Sequence, residues 1–520
     1  MNAGDHAGNA LGINDVAPSF YSNRPAKPNG EERQQTPQTA VDSFYHLRDG
    51  ELRSFGCQGT ACFVARHLNP GRWNRSAQQY PPVYCLGKCY AAPAAFSGDE
   101  RPTIEVRAPE AIVLANLVKG GARRLSEYLA HGGYAVLGSA LFRTPGQILT
   151  EIDRSGLRGR GGAGFPTGKK WRAVAQENSS EKFVIANADE GDPGAYVDRF
   201  LLENDPHRLL EAMAIAGYAV GAKRGYIYVR KEYPRAYTAL LEALAEARTE
   251  GFLGNETLHR SFSFDVDLVV GQGSYVCGEE TALLNSIEGR RPEVRPRPPY
   301  PTESGLFGKP TLVNNVETLA NIPWIVQHGS EAYRKLGFSK SLGTKVLSLN
   351  SLFVRPGLYE VPFGMPIRQV VEVLGGGLRT GKPRGVIIGG PLAGVIPPSH
   401  FDTPLGFEEL ASIGASVGHG GVIAFDESTS VLELIHHVFA FAAFESCGKC
   451  TPCRLGSHRI ERIFHAVLQA GHTSIHEKAD CEAIISSLAR TSLCGLGTGL
   501  AEFASSILRH YREDIERCFA

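Results

Sequence analysis

The segment ESCGKCTPCRLG holds three cysteines at two-residue intervals, Cys447, Cys450 and Cys453, and TSLCGLG supplies a fourth, Cys494. A triplet this tight can wrap one corner of a cubane, and a thiolate from a remote loop closes it. Thiolates suit both iron–sulfur clusters and zinc. The three-plus-one spacing favours [4Fe–4S], because zinc more often takes two separated Cys pairs. Gly448, Pro452 and Gly495 let the backbone wrap closely and aim N–H groups at the sulfurs, which tunes potential. A structural zinc knot and reduced core cysteines are the competing readings.

Eight of the eleven cysteines lie in two such groups. The second is Cys57-x4-Cys62 followed by Cys85-x3-Cys89. Two pairs suit a [2Fe–2S] cluster, with two ligands on each iron. Zinc, or a site that has lost its cluster, fits the same spacing. Cys481 and Cys518 fit no spacing and read as helix residues; Cys277 has no ligand role. His436 and His437 precede the C-terminal triplet on a helix and read as packing or surface histidines. An odd cysteine count without a signal sequence argues against a disulfide framework. The opening MNAGDHAGNALGINDVAPSF has neither a basic start nor an apolar core. Lys+Arg and Asp+Glu balance at 54 each, which argues against a chain-wide grip on nucleic acid. No apolar run approaches the ~18 residues of a membrane span. These features describe a cytoplasmic metalloprotein with no nucleic-acid partner and no membrane span.

At roughly 150 residues per domain, 520 residues imply three to four units. Residues 1–40 are rich in Asn, Gly, Pro and Gln and read as a mobile arm. Residues 41–125 carry the first cysteine set, strand-like runs (PPVYCL, TIEVRA) and the start of an amphipathic stretch, VLANLVKGGARRLSEYLAHGG, read as a helix and connector. Residues 126–335 alternate strand candidates (KFVIANADEG, GYIYVRKEY) with helix candidates (HRLLEAMAIAGYAVG, AYTALLEALAEARTEG), as in an α/β domain. Residues 340–422 are strand-like and glycine-punctuated, a small α+β module with one helix candidate at IRQVVEVLGGG. Residues 425–520 read as a helical bundle with short turns.

SGLRGRGGAGFPTGKKW is dense in glycine. Gly159-x-Gly161-x-x-Gly164 matches a dinucleotide fingerprint, but no clear strand precedes it and Pro166 stands where a helix should begin. A Walker A reading fails as well, because Lys170 follows Lys169 where Ser or Thr is needed. What survives is physical. Small residues let backbone N–H groups approach a phosphate or a flat ring, and Lys169 and Lys170 supply charge. Three further runs read as site loops. NADEGDPGAYVDR clusters Asn187, Asp189, Glu190 and Asp192 at a strand end, where ligands gather in α/β sheets. GQGSYVCGEETALLNSIEG enters a helix at Gly278-Glu279-Glu280, where acids also suit the helix dipole. GKPTLVNNVETL sets Asn314 and Asn315 before a helix, where they could equally cap it. Arg290, Arg291, Arg295 and Arg297 lie in a Pro-rich stretch, read as a loop over the site or at a subunit contact, with a solvated loop as the competing reading.

Together these segments resemble a known family: the flavin- and NADH-binding subunit of respiratory complex I and its relatives, the diaphorase subunits of NAD-reducing hydrogenases and NAD-dependent formate dehydrogenases. The resemblance covers about residues 145–510, through GRGGAGFPTGKKW, NADEGDPG, YVCGEETAL, KPTLVNNVETL, ESCGKCTPCRLG and SLCGLG. GCQGTACFVARHL and CLGKCYAAP also look like the thioredoxin-like [2Fe–2S] subunit that partners the flavoprotein, here fused and with a shorter interval between the pairs. The whole chain looks most like the beta subunit of a soluble NAD-dependent formate dehydrogenase. The implied fold is multidomain α/β and α+β. It comprises a thioredoxin-like N-terminal module, an FMN-binding α/β domain, a ubiquitin-like (SLBB-type) module and a C-terminal helical bundle carrying the iron–sulfur cluster.

By motif position the resemblance implies that Gly159, Gly161, Lys170, Asn187, Asp189, Glu190, Tyr275, Gly278, Glu279, Asn314, Asn315 and Thr318 line FMN. Phe165, Asp192, Glu280 and Tyr300 would face NADH; the family often has Glu and Phe where this chain has Asp192 and Tyr300. The implied activity is hydride exchange between NAD(H) and FMN and single-electron exchange with the clusters, with formate + NAD+ giving CO2 + NADH. No side chain need act as acid or base. Implied partners are a small [2Fe–2S] thioredoxin-like subunit and a large molybdenum or tungsten formate dehydrogenase subunit. The alternatives are a hydrogenase or complex I diaphorase, a non-catalytic electron-relay or scaffold subunit, and a zinc-binding nucleic-acid module, which zero net charge disfavours.

Overall fold

The computed structural model describes residues 56–78, 82–96 and 100–519, so the expected arm at 1–40 lies outside the described residues. Strand β1 (Thr103–Val106), expected within the 41–125 module, instead joins the second of the two larger sheets. The first sheet holds β2 (Phe183–Ala188), β3 (Arg224–Arg230), β4 (Asp265–Gly271) and β5 (Thr311–Asn315) in the order β4-β3-β2-β5. Every pairing in it is parallel. β2 reads FVIANA and is buried at all but one position, the near-continuous apolar run of a strand covered on both faces. Helices Pro206–Val220 and Pro234–Thr249 make the crossovers. Proline opens both, where its missing N–H has no helical partner to lose.

The order runs outward from β2 to β4 on one side and jumps to β5 on the other. β2 and β5 therefore flank a topological switch point, and their carboxyl ends point to the same edge. The stretch read as a helix and connector at 113–133 divides at its glycines: Gly120 and Gly121 take φ of +103° and +94°, and the α-helix begins only at Leu125.

The second sheet holds β6 (Thr344–Leu349), β7 (Gly357–Pro362), β8 (Pro383–Ile388), β9 (Val395–Ile396) and β10 (Gly421–Asp426) in the order β1-β7-β6-β10-β8-β9. β10 runs across the expected boundary at 422. Lys345 of β6 and Glu317, beside β5, form an ion pair with both side chains fully buried, which ties the two sheets together.

Helices α1 (Val431–Glu445), α2 (Thr451–Ala470), α3 (Ile475–Thr491) and α4 (Gly495–His510) form the C-terminal bundle, as the pattern predicts. The described part of residues 56–96 is different. It holds short helices Thr60–Val64 and Pro70–Ala77 and isolated bridges Gly56–Ala95 and Cys57–Val83, with no multi-stranded sheet among the described residues. Of the expected strand PPVYCL, the described residues 82–86 form only the Val83 bridge. Cys57, Cys62, Cys85 and Cys89 themselves supply much of the core there. Among the described residues no helix is long and apolar enough to cross a membrane.

Candidate functional site

A cleft opens at the switch point, in two adjoining lobes of about 520 and 550 Å³. Asn187 at the end of β2 and Asn315 at the end of β5 are register partners and line both lobes. The glycine-rich loop closes over them. It follows the helix Pro145–Ser155 rather than a strand, which accounts for the failed dinucleotide fingerprint, and it leads into the helix Thr167–Gln176 with Pro166 as N-cap. A Cβ on Gly161 would stand 2.8 Å from the Asn315 Cβ, so only glycine lets this backbone approach the strand end. The Arg160 N–H donates to Thr318 Oγ1 at 2.8 Å and pins the loop.

The remaining loops are held as firmly. Asn187 Nδ2 donates to the Gly278 carbonyl (2.8 Å), joining the β2 end to the loop after β4. Trp171, fully buried, donates from Nε1 to Asn314 Oδ1 (2.9 Å). Tyr275 donates its hydroxyl to Asp192 (2.6 Å) and its N–H to Glu445 of α1 (3.0 Å). Glu279 caps the helix Glu280–Ile287 through Oε2, which accepts from the N–H groups of Thr281 and Ala282. Its other oxygen, and both oxygens of Asp189, are buried with no donor in the protein. Burial, opposed by Arg230, pushes the Asp189 carboxyl up to about 8.

Every predicted flavin and NADH residue but one lines the cleft. The exception is Glu190. Its carboxylate accepts from the N–H groups of Asp198 and Arg199 (both 3.0 Å) and turns away from the cleft to cap the next helix. Glu280 lines the outer lobe but is not a free acid there: Lys170 Nζ lies 2.9 Å away and Arg297 3.6 Å away. Phe165 and Tyr300 are each 52% exposed at the mouth of that lobe.

Sequence reasoning missed His419, which reaches the cleft from the turn before β10. It pairs with Asp198 at 2.9 Å, and Asp198 also accepts from Asn315 Nδ2 at 2.6 Å. It missed Arg230 as well, fully buried behind the Asp189–Glu190 turn and bonded to the Glu190 carbonyl (2.6 Å) and Glu232 (2.7 Å). No local motif marks either residue: Asp198 is distant from His419 in sequence and Glu190 from Arg230, and only Glu232 is close.

The two cysteine groups converge on this cleft from different sides. Cys494 lines both lobes, and Cys447 packs with Val276 and Ala282 beneath the flavin-loop helix. Burial, with the other three thiols nearby, pushes Cys453 up to about 12; Ser446 Oγ lies 3.3 Å from its sulfur. The N-terminal four are at most 2% exposed. N–H groups of Gly59, Gly87 and Ala94 point at the sulfurs of Cys57, Cys85 and Cys62 at 3.3–3.4 Å. This group docks on the back of the 189–196 loop: Gly59 abuts Pro193, and Cys85 Sγ lies 3.9 Å from the Ala195 carbonyl.

Comparison with known proteins agrees with this geometry. Residues 152–324 match the Nuo51 FMN-binding domain, and residues 433–518 the NADH-ubiquinone oxidoreductase-F iron-sulfur binding region. The NADH-quinone oxidoreductase F 2 subunit of Rhizobium meliloti is 40% identical over 407 residues, 78% of this chain and 96% of that protein. The chain belongs to the family of NADH-quinone oxidoreductase F subunits. Another similar protein, the NADP-reducing hydrogenase subunit HndC of Solidesulfovibrio fructosivorans, is 43% identical over 72% of this chain and 76% of its own length. The crystal structure of an NAD+-reducing [NiFe]-hydrogenase in the H2-reduced state superposes with a TM-score of 0.75 at 28% identity, covering 93% of this chain and 87% of that one.

The cleft of this NADH-quinone oxidoreductase F-type chain fits the FMN and [4Fe–4S] groups that its family binds. Asp189 and Glu279 present buried oxygens that need donors, which ring N–H and sugar hydroxyl groups supply. The glycine backbone and Lys169 and Lys170 suit a flat ring and a phosphate. Four soft donors, Cys447, Cys450, Cys453 and Cys494, gather beside it.

Proposed function

We propose that the chain is the NAD(H)-exchanging flavin subunit, a diaphorase, of a cytoplasmic multi-subunit enzyme whose terminal catalyst sits on another chain. One observation carries the reading: a continuous cleft at the switch point of a parallel sheet, with a cysteine of the C-terminal group in its wall. FMN, when bound, supplies two-electron hydride chemistry towards the nicotinamide and one-electron chemistry towards the clusters. Gly159, Gly161, Lys170, Asn187, Asp189, Tyr275, Gly278, Glu279, Asn314, Asn315 and Thr318 hold it; Glu190 shapes the loop from behind. Phe165 and Tyr300 offer ring faces to the dinucleotide at the mouth. Asp192 and the Lys170–Glu280–Arg297 group set the charge that the nicotinamide and phosphates meet. Cys447, Cys450, Cys453 and Cys494 ligate the [4Fe–4S] cluster, and Cys57, Cys62, Cys85 and Cys89 a [2Fe–2S] cluster.

For the terminal partner, two readings stand. The sequence resemblance favours a formate dehydrogenase subunit with molybdenum or tungsten, together with a small thioredoxin-like [2Fe–2S] subunit. The hydrogenase likeness favours a nickel–iron partner, since at 93% coverage it reaches into the N-terminal cysteine segment, whereas the Rhizobium and Solidesulfovibrio relatives span 72–78% of this chain. Purification of the native complex with metal analysis separates them: molybdenum or tungsten supports the first, nickel the second. A yellow preparation that reduces dyes with NADH supports the diaphorase reading itself. Colourless protein with full iron and no such turnover would leave only an electron-relay role.

A further inference from the structure

Away from the cleft, α1 and α2 bring three metal-ligating side chains together on the bundle surface. Glu461 and His465 are four residues apart on α2 and share one face. His436 of α1 meets them across the helix pair, its Nε2 3.2 Å from Glu461 Oε1 and its ring centroid 5.5 Å from that of His465. One ligand atom from each residue lies within 4.8 Å of the other two. The next residue, His437, turns the other way, half-buried and stacked 4.2 Å from the Phe63 ring. The helical period thus gives adjacent histidines different surroundings, and of the two, both read from sequence as packing or surface residues, His437 is the one that packs.

We propose that His436, Glu461 and His465 form a divalent transition-metal site, with zinc the best-matched ion and water completing the shell. Two imidazoles and a carboxylate are a borderline donor set that suits zinc better than magnesium or calcium. In a tetrahedral shell with bonds of ~2.0–2.1 Å, neighbouring ligand atoms stand about 3.3 Å apart. The His436–Glu461 pair already has that spacing, and His465 closes the triangle by a side-chain adjustment. His436 and Glu461 keep about a quarter of their side-chain surface in solvent (25% and 24%), which leaves access for the ion and its water. Glu433, one turn before His436, is engaged by Arg66 (2.5 Å) and adds no ligand. A metal here would clamp α1 to α2, the two helices between which the segment holding Cys447 and Cys450 is strung.

The test uses the flavin- and iron-loaded protein, dialysed against a chelator and titrated with zinc chloride in a calorimeter. One zinc per chain is expected, bound about tenfold or more weaker in His436→Ala and in His465→Ala. His476→Ala, on α3, should bind as the parent does. Zinc should also raise the melting temperature of the parent and of His476→Ala alone. If an alanine variant loses iron or flavin, the near-isosteric Glu461→Gln replaces it and should show the same weakening. No saturable uptake, or uptake that all three site variants retain, overturns the proposal.

Discussion

The two cysteine quartets sit on opposite sides of one loop system yet meet their charge in different ways. In the C-terminal quartet, Cys450 and Cys494 are the N-caps of α2 and α4, and Cys453 lies in the first turn of α2. Helix N-termini carry partial positive charge, and Cys450 and Cys494 are only half-buried, so dipoles and solvent share the burden. The N-terminal quartet has only the first turn of the five-residue helix Thr60–Val64, which holds Cys62, and no solvent. It relies on N–H groups from Gly59, Gly87 and Ala94; the hydrogen bond with Cys89 and, less strongly, the buried guanidinium of Arg230 draw the Cys85 thiol down against its burial. Cys85 is also held at φ +61°, a conformation that non-glycine residues rarely adopt. Two quartets with the same ligand chemistry thus face different ways, one towards the surface and one into the flavin domain.

That contrast can be broken most sharply at Cys494. Cys494→Ser should cost about four iron atoms per chain and end electron delivery to one-electron protein acceptors, while NADH–dye turnover persists. Iron analysis with unchanged content would remove Cys494 from the ligand set. The next largest effect is expected at Arg230. Its removal leaves Glu232 buried and unpaired, so Arg230→Ala should lose about 3–5 kcal/mol in denaturant unfolding, with Arg230→Lys losing less. Iron should leave the N-terminal quartet first; prior loss from the C-terminal one would contradict the assigned contact. Cys89→Ser should remove about two irons and spare the other cluster. A parent protein that holds zinc but no second iron centre would make this quartet a zinc knot instead.

Two smaller effects sharpen the picture inside the cleft. Burial alone would discharge His419, but Asp198 and Glu190 hold it protonated and raise it to about 9. A raised folded value stabilises fully below the unfolded value of about 6.5, and that contribution is lost as pH rises through about 9. Between those pH values the parent should lose about 1–3 kcal/mol more stability than His419→Gln. Equal slopes in both would mean that His419 carries no charge. Glu280→Gln should change the NAD+ to NADH affinity ratio only about two- to threefold, because Lys170 and Arg297 already offset the carboxylate. Equilibrium binding of both nucleotides measures it, and a tenfold change would mean that this group opens when the dinucleotide binds.

Legibility followed the range of the interactions. The bundle helices, β2, β3 and the two crossover helices were readable because apolar periodicity is local. Within the helix and connector expected over 113–133 the break falls at Gly120 and Gly121, where two left-handed glycines outweigh an amphipathic pattern. Glu190 was grouped with its neighbours by position, yet its carboxylate is taken by the N–H groups of Asp198 and Arg199. Placing β1 in the second sheet depends on Gly357, whose missing side chain lets the Thr103 backbone approach, a contact no local signal announces.

By itself the sequence determined which donors exist and how they are spaced. Two-residue cysteine intervals, a glycine-dense loop and Asn-Asn before a helix are covalent facts, and their local geometry follows from bond lengths and helical turns. Only the tertiary structure decided where these donors meet. Strand order β4-β3-β2-β5 sets Asn187 beside Asn315. The turn before β10 carries His419 in from the second sheet, and the antiparallel α1–α2 pair brings His436 to Glu461 and His465. Such meetings rest on packing between segments tens to hundreds of residues apart, where shape complementarity and buried charge, not chain connectivity, select the neighbour.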